Sequence, residues 1–535
     1  MLTQQLTPIA GSLLLSAAVA SLPIVTVLLL LGVLRRPAWQ ASGAGLAVGL
    51  VLATTAWRMP VAMALNTVAA GAVFALWPVL WIVLAALLLY NIAVASGRFD
   101  AFRRWVEQQL PNDRRVVLVV MGFCFGALLE GVAGFGSPVA ITSSLLIATG
   151  WAPLEAVTYT LIFNTAPVAF GALGVPITTL GKVTGLPAAQ LGAIVGHQLP
   201  PIAVLLPFYV MWVFGGRRSV AALWPLLLVA GGSFATAQFL TSNYGDYQLT
   251  DLFASLGSLI VTIAFLRVWR PAPDPDFALA RRSVAPSAAP AWQGWLPWLT
   301  VSVVVILWTH FAVPKLGAQE IHWPGLDNRV FITLYGKLYP LVYTWQPLAS
   351  GTGVLTAAVL TGLMLRLPPG QFLLCLRQTL LQMRFAALTV CLILGLAYLM
   401  NYAGLTYTLG AAAASAGIFF ALASPFLGWV AVMLSGSDTS GNALFGNLQV
   451  VAARQLHLNP VLFAATNSSG GVMGKMISPQ NIATGVSVTG MAGQEGAVFA
   501  RTFIHSVALT LMLVVLVVIA QYLVPWVIPS AGPSP

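Results

Sequence analysis

Charged residues are scarce in this chain: they make up only 7% of its 535 residues, whereas 59% are hydrophobic and the mean hydropathy is +0.90. A water-soluble domain of this length could not bury so much apolar surface, so the composition predicts a protein that crosses a membrane many times. Lipid offers the backbone no hydrogen-bond partners, so each span must be a helix or part of a closed barrel. The apolar runs are long and continuous rather than alternating, which favours helices.

Cysteine is rarer still. The three cysteines, Cys124, Cys375 and Cys391, lie in apolar stretches, with no CxxC pair and no spacing typical of metal ligands. This pattern argues against a disulfide framework or a zinc site and predicts three core residues. We expect no metal and no other cofactor.

Acidic residues are also few, 13 against 24 lysines and arginines, which gives a formal net charge of +11. The basic residues stand in short clusters between apolar runs, and by the positive-inside rule such clusters mark cytoplasmic loops. The net charge therefore predicts orientation in a lipid bilayer rather than a nucleic-acid partner. The stretch 313–347 mixes acids, bases and tyrosines and is predicted to be an external loop.

The apolar runs predict an all-α polytopic membrane protein with 12 to 14 transmembrane helices, at about 20 residues per span. The first run has no basic stretch before it and is expected to remain as a span. Residues 271–291 are rich in proline, alanine and charge, and are predicted to form a flexible cytoplasmic linker. On this interpretation the chain has two transmembrane halves, 1–270 and 292–535.

Two regions interrupt the plain apolar helices and resemble each other, one in each half. Aligning Asn164 with Asn467 brings a later glycine and a later proline of the two regions into register, Pro176 on Pro479. The match suggests an internal duplication and two related halves with broken helices or re-entrant hairpins. The broken regions span 130–176 and 435–481.

Paired segments interrupted by glycine and proline, at corresponding places in two halves, are typical of the binding site of a secondary transporter. A continuous helix uses its backbone groups for itself, whereas a broken one leaves N–H and C=O groups free at mid-membrane. Free N–H groups at a helix N-terminus carry partial positive charge and can hold a carboxylate. The alternative is that the small residues only let helices pack closely. Because the segments match and each carries an ionisable residue, we favour the binding site.

Four ionisable residues are candidates for function: Glu130, Asp438, Lys475 and His197. Burying a charge at mid-bilayer costs about 2.5–3.5 kcal/mol on insertion scales, so either carboxyl needs a partner or a proton, and either could couple transport to protons. Glu130 could instead form a structural pair with a base, and Asp438 could cap the helix after it. Lys475 could hold an anion or snorkel near a helix end. His197 could relay protons or stand at a helix end at the interface.

These motifs carry a resemblance to a known family. The signature segments of the bacterial L-lactate permease family, which includes glycolate permeases, resemble four stretches of this chain: EGVAGFGSPVAI, NTAPVAFGALGVPI, SGSDTSGNALFG and NSSGGVMGKMISPQNIATG. The resemblance implies a symporter in the bacterial inner membrane that moves L-lactate, D-lactate or glycolate with a proton. It also implies an ion-transporter fold of inverted repeats with re-entrant hairpins.

Carried over residue by residue, the resemblance implies a set of glycine, polar and basic positions that bind the substrate. They are Gly134, Gly136, Asn164, Thr165, Ser437, Thr439, Ser440, Asn442, Asn467, Ser468, Ser469, Lys475 and Gln480.

The sequence therefore predicts a proton-coupled carrier of small 2-hydroxymonocarboxylates, and it implies no oligomeric state. In the predicted mechanism the substrate carboxylate lies against free backbone N–H groups and Lys475. The substrate hydroxyl meets Asn164 or Asn467, and Glu130 carries the proton, with Asp438 as a second carrier. The alternatives are a carrier or a channel for another small organic anion. An intramembrane hydrolase is disfavoured, because the sequence shows no HExxH or GxSxG motif and no second intramembrane aspartate to partner the first.

Overall fold

The computed structural model describes residues 1–30, 34, 36–133, 137–279, 290–491 and 494–528. Most of the apolar runs form helices, since a helix satisfies its own backbone hydrogen bonds in lipid. The prediction of a helical, multi-pass membrane protein is confirmed.

The helices of the first 270 residues are short near the broken region and long elsewhere. They are α1 (Leu13–Leu28), α2 (Ala38–Thr55), α3 (Val61–Phe74), α4 (Trp81–Ala95), α5 (Arg98–Gln109), α6 (Arg114–Val117), α7 (Gly126–Ala133), α8 (Ser137–Ala148), α9 (Pro153–Phe163), α10 (Gly171–Thr184), α11 (Ala188–Tyr244) and α12 (Thr250–Val268). Two π-helical stretches, Ala75–Leu80 and Leu118–Phe125, join α3 to α4 and α6 to α7.

The helices after the linker also differ in length. They are α13 (Leu296–His310), α14 (Ser350–Met364), α15 (Pro369–Ala403), α16 (Leu405–Ala414), α17 (Phe419–Ser435), α18 (Asp438–Gln455), α19 (Pro460–Lys475), α20 (Pro479–Val488) and α21 (Glu495–Val518).

Six helical segments within the described residues are long and apolar enough to cross a membrane, or seven if the bent pair of α9 and α10 counts as one span. This is fewer than the expected 12 to 14, because several apolar runs form helices of only 10–17 residues. The longest segment, α11, is not one rod, since Gly216 breaks it with φ +63° and ψ −165°. A Cβ on Gly231 would lie 2.7 Å from the Val204 carbonyl oxygen, so the chain doubles back after the break. α11 therefore supplies two antiparallel arms, where two spans were predicted.

The two broken regions have the same order of elements. In the first, α7 is followed by the hairpin of α8 and α9, by a break between Phe163 and Gly171, and by α10; α17, α18, α19 and α20 repeat that order. Left-handed backbone at Ala172, Leu173 and Gly174 interrupts the start of α10. Gly436, with φ +72°, separates α17 from α18. This common order is what an internal duplication predicts.

Helices of one broken region pack against helices of the other. α10 lies along α18, where a Cβ on Gly446 would come within 2.4 Å of Leu180 Cδ1, and α20 lies along α8. One continuous hydrophobic core contains buried side chains from both halves of the sequence. The two broken regions are therefore neighbours inside the molecule.

The helix α19 corrects one expectation about the second broken region. It runs without interruption over Pro460–Lys475, so residues 467–474 are helix and not unwound backbone. Its glycines let it approach α17 instead: a Cβ on Gly474 would lie 2.2 Å from the Trp429 carbonyl oxygen. Close helix packing is thus the correct interpretation for this face. The break comes just after it, at 476–478.

Residues 313–347 are the main exception to helix among the described residues. They contain β2 (Gln319–His322), β3 (Val330–Ile332), β4 (Lys337–Leu338) and β5 (Val342–Trp345), and the N-terminal β1 (Leu2–Thr3) joins them. β1 pairs in parallel with β3, β3 antiparallel with β4, and β2 antiparallel with β5. The segment is tied to the helices, because Trp323 Nε1 donates to Asn66 Oδ1 at 2.9 Å and the Tyr339 ring stacks on Tyr402 at 4.2 Å.

The start of the predicted linker is held against the helices. Asp274 lies 3.0 Å from Arg218 and 3.6 Å from the buried Arg115, and the guanidinium carbon of Arg115 lies 4.2 Å from the centre of the Phe277 ring. Residues 271–279 therefore do not fit the expectation of a flexible linker, since ion pairs fix them. Residues 280–289 lie outside the described residues.

We predict that Gly474→Ala lowers the stability of the folded protein by about 1–3 kcal/mol, because the new methyl group meets backbone that cannot move aside. The measurement is the thermal midpoint of the purified protein in detergent. Gly232→Ala is the matched control: it lies in α11, a Cβ there meets nothing within 4 Å, and alanine favours helix. Equal midpoints for the two variants would contradict the close packing of α17 and α19.

Candidate functional site

Glu130 and Lys475 form a buried ion pair that joins the two broken regions. Lys475 Nζ donates to Glu130 Oε1 at 2.6 Å, although the residues are 345 positions apart in the sequence. The second carboxylate oxygen accepts from Asn164 Nδ2 at 2.9 Å. The exposed fractions of the two charged side chains are 3% and 6%, so the pair is shielded from solvent. The structural pair considered for Glu130 therefore exists, and its base comes from the other half of the chain.

The local backbone explains why this pair can form. Lys475 is the last residue of α19, and Glu130 lies in α7, three residues before its last residue, Ala133. A Cβ on Gly171 would lie 3.0 Å from Glu130 Oε1, so only glycine leaves room for the carboxylate beside the start of α10. The breaks thus bring the carboxylate, the ammonium and free backbone together.

Asp438 is the first residue of α18 and is almost fully buried. Its Oδ2 accepts from Ser468 Oγ at 2.5 Å and from Asn442 Nδ2 at 3.2 Å. Its Oδ1 has no hydrogen-bond partner within the described residues. The helix cap considered for Asp438 is formed by Ser437 instead, whose Oγ accepts from the backbone N–H of Ser440 at 3.4 Å.

A small cavity of about 30 Å³ lies between the two broken regions, and we call it the central cavity. A water molecule occupies about 30 Å³ in the liquid, so there is room for roughly one or two waters and not for an organic acid. The regions must therefore move apart before an organic anion can bind. The lining residues are Glu130, Val168, Gly171, Ala172, Pro176, Gly436, Ser437, Asp438, Thr439, Lys475 and Gln480.

Several of the predicted substrate-binding residues form a polar network beside the central cavity and not its wall. Asn467 Nδ2 donates to Asn442 Oδ1 at 3.0 Å, and Asn467 Oδ1 accepts from Gln449 Nε2 at 3.1 Å. Because these amides already satisfy one another, their geometry supports a role in fixing α18 against α19. The backbone N–H of Ser440 donates to the capping residue Ser437. Ser469 is buried with no partner for its Oγ within the described residues.

His197 and Thr165 do not line the central cavity. His197 lies in the first arm of α11, where its Nδ1 is 2.7 Å from the Ala193 carbonyl oxygen and its ring packs edge-on against Phe239. This placement gives no support to a proton-coupling role. Thr165 Oγ1 donates to the Ile162 carbonyl oxygen at the end of α9. Gly134 and Gly136 lie outside the described residues.

The sequence profile described as L-lactate permease matches residues 16–524, which is nearly the whole chain. The chain belongs to the L-lactate permease family. Since its members are permeases and not enzymes, the hydrolase alternative can be set aside. The protein is a multi-pass membrane permease for a small molecule.

Relatives of similar length support this assignment. The chain is 39% identical to the L-lactate permease of Escherichia coli O6:H1, with 97% of this chain and 98% of that protein covered. It is 38% identical to the L-lactate permease of Bacillus subtilis, with 98% and 100% covered. It is 39% identical to the glycolate permease GlcA of Escherichia coli K12, with 97% and 98% covered.

Solved structures resemble this permease only distantly. The YdaH transporter of Alcanivorax borkumensis has 15% identity and a TM-score of 0.41, with 82% of this chain and 84% of that chain covered. MtrF of Neisseria gonorrhoeae has 14% identity and a TM-score of 0.44, with 85% and 83% covered. At these scores no argument rests on the likeness.

Sequence reasoning missed Asp251, the second residue of α12. Its side chain is buried against the backbone of the first broken region: a Cβ on Gly131 would lie 2.9 Å from Asp251 Cβ. Neither carboxyl oxygen has a hydrogen-bond partner within the described residues, and the group lies in the field of Glu130 and Lys475. The expectation of no second intramembrane aspartate is therefore wrong. The available signal in the sequence was an acidic residue at the start of an apolar run. Ordinary exposed acids at helix N-termini give the same pattern, so the sequence alone does not distinguish a buried one.

We predict that Glu130→Gln and Lys475→Met each lower the stability of the permease by about 3–5 kcal/mol, because each leaves one buried charge without its partner. The double variant should recover most of that loss, since no unpaired charge remains. A double-mutant cycle on thermal midpoints measures the coupling. Glu320→Gln, on the exposed strand β2, is the neutral control. Additive single effects would show that the two side chains do not form the pair.

We predict that Asp251→Asn changes stability by less than about 1 kcal/mol, because a buried carboxyl without donors is favoured in its neutral form, which asparagine resembles in shape. Asp113→Asn is the matched control: Asp113 is also buried, but Arg115 Nη2 donates to its Oδ2 at 2.7 Å. Asp113→Asn should lower the stability of the folded protein by about 3–5 kcal/mol. A similarly large loss of stability in Asp251→Asn would mean that the Asp251 carboxylate is charged and paired.

Proposed function

We propose that this permease is a proton-coupled carrier that takes up L-lactate, D-lactate and glycolate across the bacterial inner membrane. The observation that carries the proposal is the buried ion pair of Glu130 and Lys475, which joins the two broken regions at the central cavity. The substrate class is supported by relatives named L-lactate permease and glycolate permease.

The ion pair suggests a physical route to coupling. While Glu130 neutralises Lys475, an incoming anion finds no free positive charge. A proton on Glu130 removes the carboxylate charge and releases the ammonium for the carboxylate of the substrate. A proton alone or an anion alone would leave an uncompensated buried charge, which is costly. Proton and substrate therefore favour each other's binding, and linkage makes this effect reciprocal.

The rest of the central cavity suits a small carboxylate. The N-terminus of α18 opens onto it at Ser437 and Thr439, and a helix N-terminus attracts anions. The unwound start of α10 leaves backbone groups beside the same space. Gln480 also lines the cavity and, with Asn164 next to Glu130, could accept or donate a hydrogen bond to the substrate hydroxyl. The Asn467 side chain already forms hydrogen bonds with other amides, so it is not assigned the contact with the substrate hydroxyl.

Proton transfer through the carrier needs acids besides the one that faces the substrate. Asp438 lines the central cavity, and one of its carboxyl oxygens has no hydrogen-bond partner among the described residues. Asp251 is buried near Glu130, and neither of its carboxyl oxygens has a partner among those residues. We propose that these two carboxyls exchange protons with Glu130 during the transport cycle. Alternating movement of the two broken regions would open the central cavity to either side of the membrane in turn.

A carrier for another small organic anion remains the main alternative, and a channel is the second. The matched halves and a central cavity with room for about one or two waters favour a carrier. The oligomeric state does not enter the proposal, because both members of the ion pair come from one chain.

We predict that Glu130→Gln abolishes uptake driven by a pH gradient but retains exchange of labelled lactate across vesicles at equal pH. Glutamine imitates protonated Glu130, so Lys475 stays available to the substrate while the proton is no longer carried. Driven accumulation should fall at least tenfold, within the range typical of coupling energies. Initial rates in proteoliposomes with and without an imposed gradient provide the measurement, and Glu320→Gln serves as control. If Glu130→Gln retains full dependence on the gradient, the proton role is wrong.

The same vesicles test the substrate class by competition. D-lactate and glycolate should compete with labelled L-lactate, whereas acetate, which lacks the hydroxyl, should compete about tenfold less well, as expected for one lost hydrogen bond. Equal competition by acetate would favour a carrier for other organic anions. Flux that neither saturates nor accumulates lactate against its gradient would favour a channel.

A further inference from the structure

A second and much larger cavity, of about 610 Å³, lies between the 313–347 segment and the helices. We call it the outer cavity. Strand β4 and the turn after it form one wall, and the C-terminal parts of α10 and α18 form another. Tyrosines of α15 and α16 complete it. The outer cavity has room for a small organic acid together with many waters.

The charges around the outer cavity all have one sign. Lys182, Lys337 and Arg454 line it, and no aspartate or glutamate does so among the described residues. Lys182 is exposed to this space and makes no hydrogen bond or ion pair within the described part of the chain. Its Nζ lies 5.9 Å from the centre of the Phe74 ring. A cation without a counterion, on a helix that belongs to an apolar bent span, is a sign of function.

The cations of the outer cavity also act on one another. Burial and the neighbouring Arg454 guanidinium both lower the pKa of Lys337. The Arg454 guanidinium carbon itself lies 5.1 Å from the centre of the Tyr335 ring. Positive charges that share a space without acids repel each other, so an anion between them is stabilised.

Two helices connect the outer cavity with the central one. On α10, Pro176 lines the central cavity and Lys182 the outer one, about 9 Å further along the helix axis. On α18, Asp438 lines the central cavity and Arg454 the outer one, about 24 Å away. The two helices pack against each other. An anion in the outer cavity therefore stands at the ends of the two helices that flank the central site.

We propose that the outer cavity is a low-affinity binding site for small carboxylate anions, in which Lys182, Lys337 and Arg454 collect the substrate before it reaches the central cavity. The proposal rests on the proposed function, because it takes the transported anion as the ligand. By the predicted topology of the 313–347 segment, this site faces the outside of the cell. Its cations raise the local anion concentration, which lowers the KM of uptake without changing the step at the ion pair.

The test uses labelled L-lactate and right-side-out vesicles that contain the full-length permease. Lys182→Gln and Lys337→Gln are each expected to raise KM about threefold or more, with the maximal rate within about twofold of the wild type. Salt screens exposed charges, so the wild-type KM should rise with ionic strength, and the double variant should show a weaker dependence. Lys182→Arg, which keeps the charge, should behave like the wild type.

Lys315→Gln is the matched control, because Lys315 belongs to the same segment and does not line the outer cavity. An unchanged KM and salt dependence in the double variant would overturn the proposal. A lower maximal rate at unchanged KM would also overturn it, as would a Lys182→Arg variant that behaves like Lys182→Gln. If the wild type takes up no lactate at all, the proposed function itself is wrong.

Discussion

The buried pair of Glu130 and Lys475 is the interaction to which the rest of the site is fitted. Taking two charges out of water is costly, and their attraction seldom does more than offset that cost, so such a pair adds little to stability by itself. What it provides is a link between two distant parts of the chain, one in each broken region. Gly171 leaves space for the carboxylate, and Asn164 satisfies its second oxygen. Under the proposed function, this costly arrangement is the place where a proton and an anion replace each other.

Glycine serves two different purposes in this fold, and they are easily confused. Gly436 takes a left-handed conformation and ends α17, which opens the start of α18 to the central cavity. Gly470 and Gly474 remain in an ordinary helix and let α19 touch the backbone of α17. The first use creates free backbone groups, whereas the second brings two rods together. Both depend on the missing side chain, so composition alone does not separate them.

Charge is distributed unevenly between the two cavities. Three buried carboxyls, Glu130, Asp251 and Asp438, gather around a single ammonium at the centre, whereas the outer cavity is lined by cations alone within the described residues. In the proposed mechanism the outer arrangement attracts anions over a distance, and the central one admits an anion only together with a proton. On that proposal, charge is first collected in the outer cavity and then compensated in the central one.

The sequence by itself determined the membrane class, the helical character and the family, and it singled out Glu130, Asp438 and Lys475 as candidates, because hydropathy and rare charges in apolar runs are local properties of the chain. It could not show which base would meet Glu130, since partners 345 positions apart are chosen only by packing. For the same reason Asp251 had the appearance of an ordinary helix-terminal acid, and the stretch 467–474 that of a broken helix. Tertiary structure decided these points, because the burial and the hydrogen-bond partners of a side chain are set by its neighbours in space.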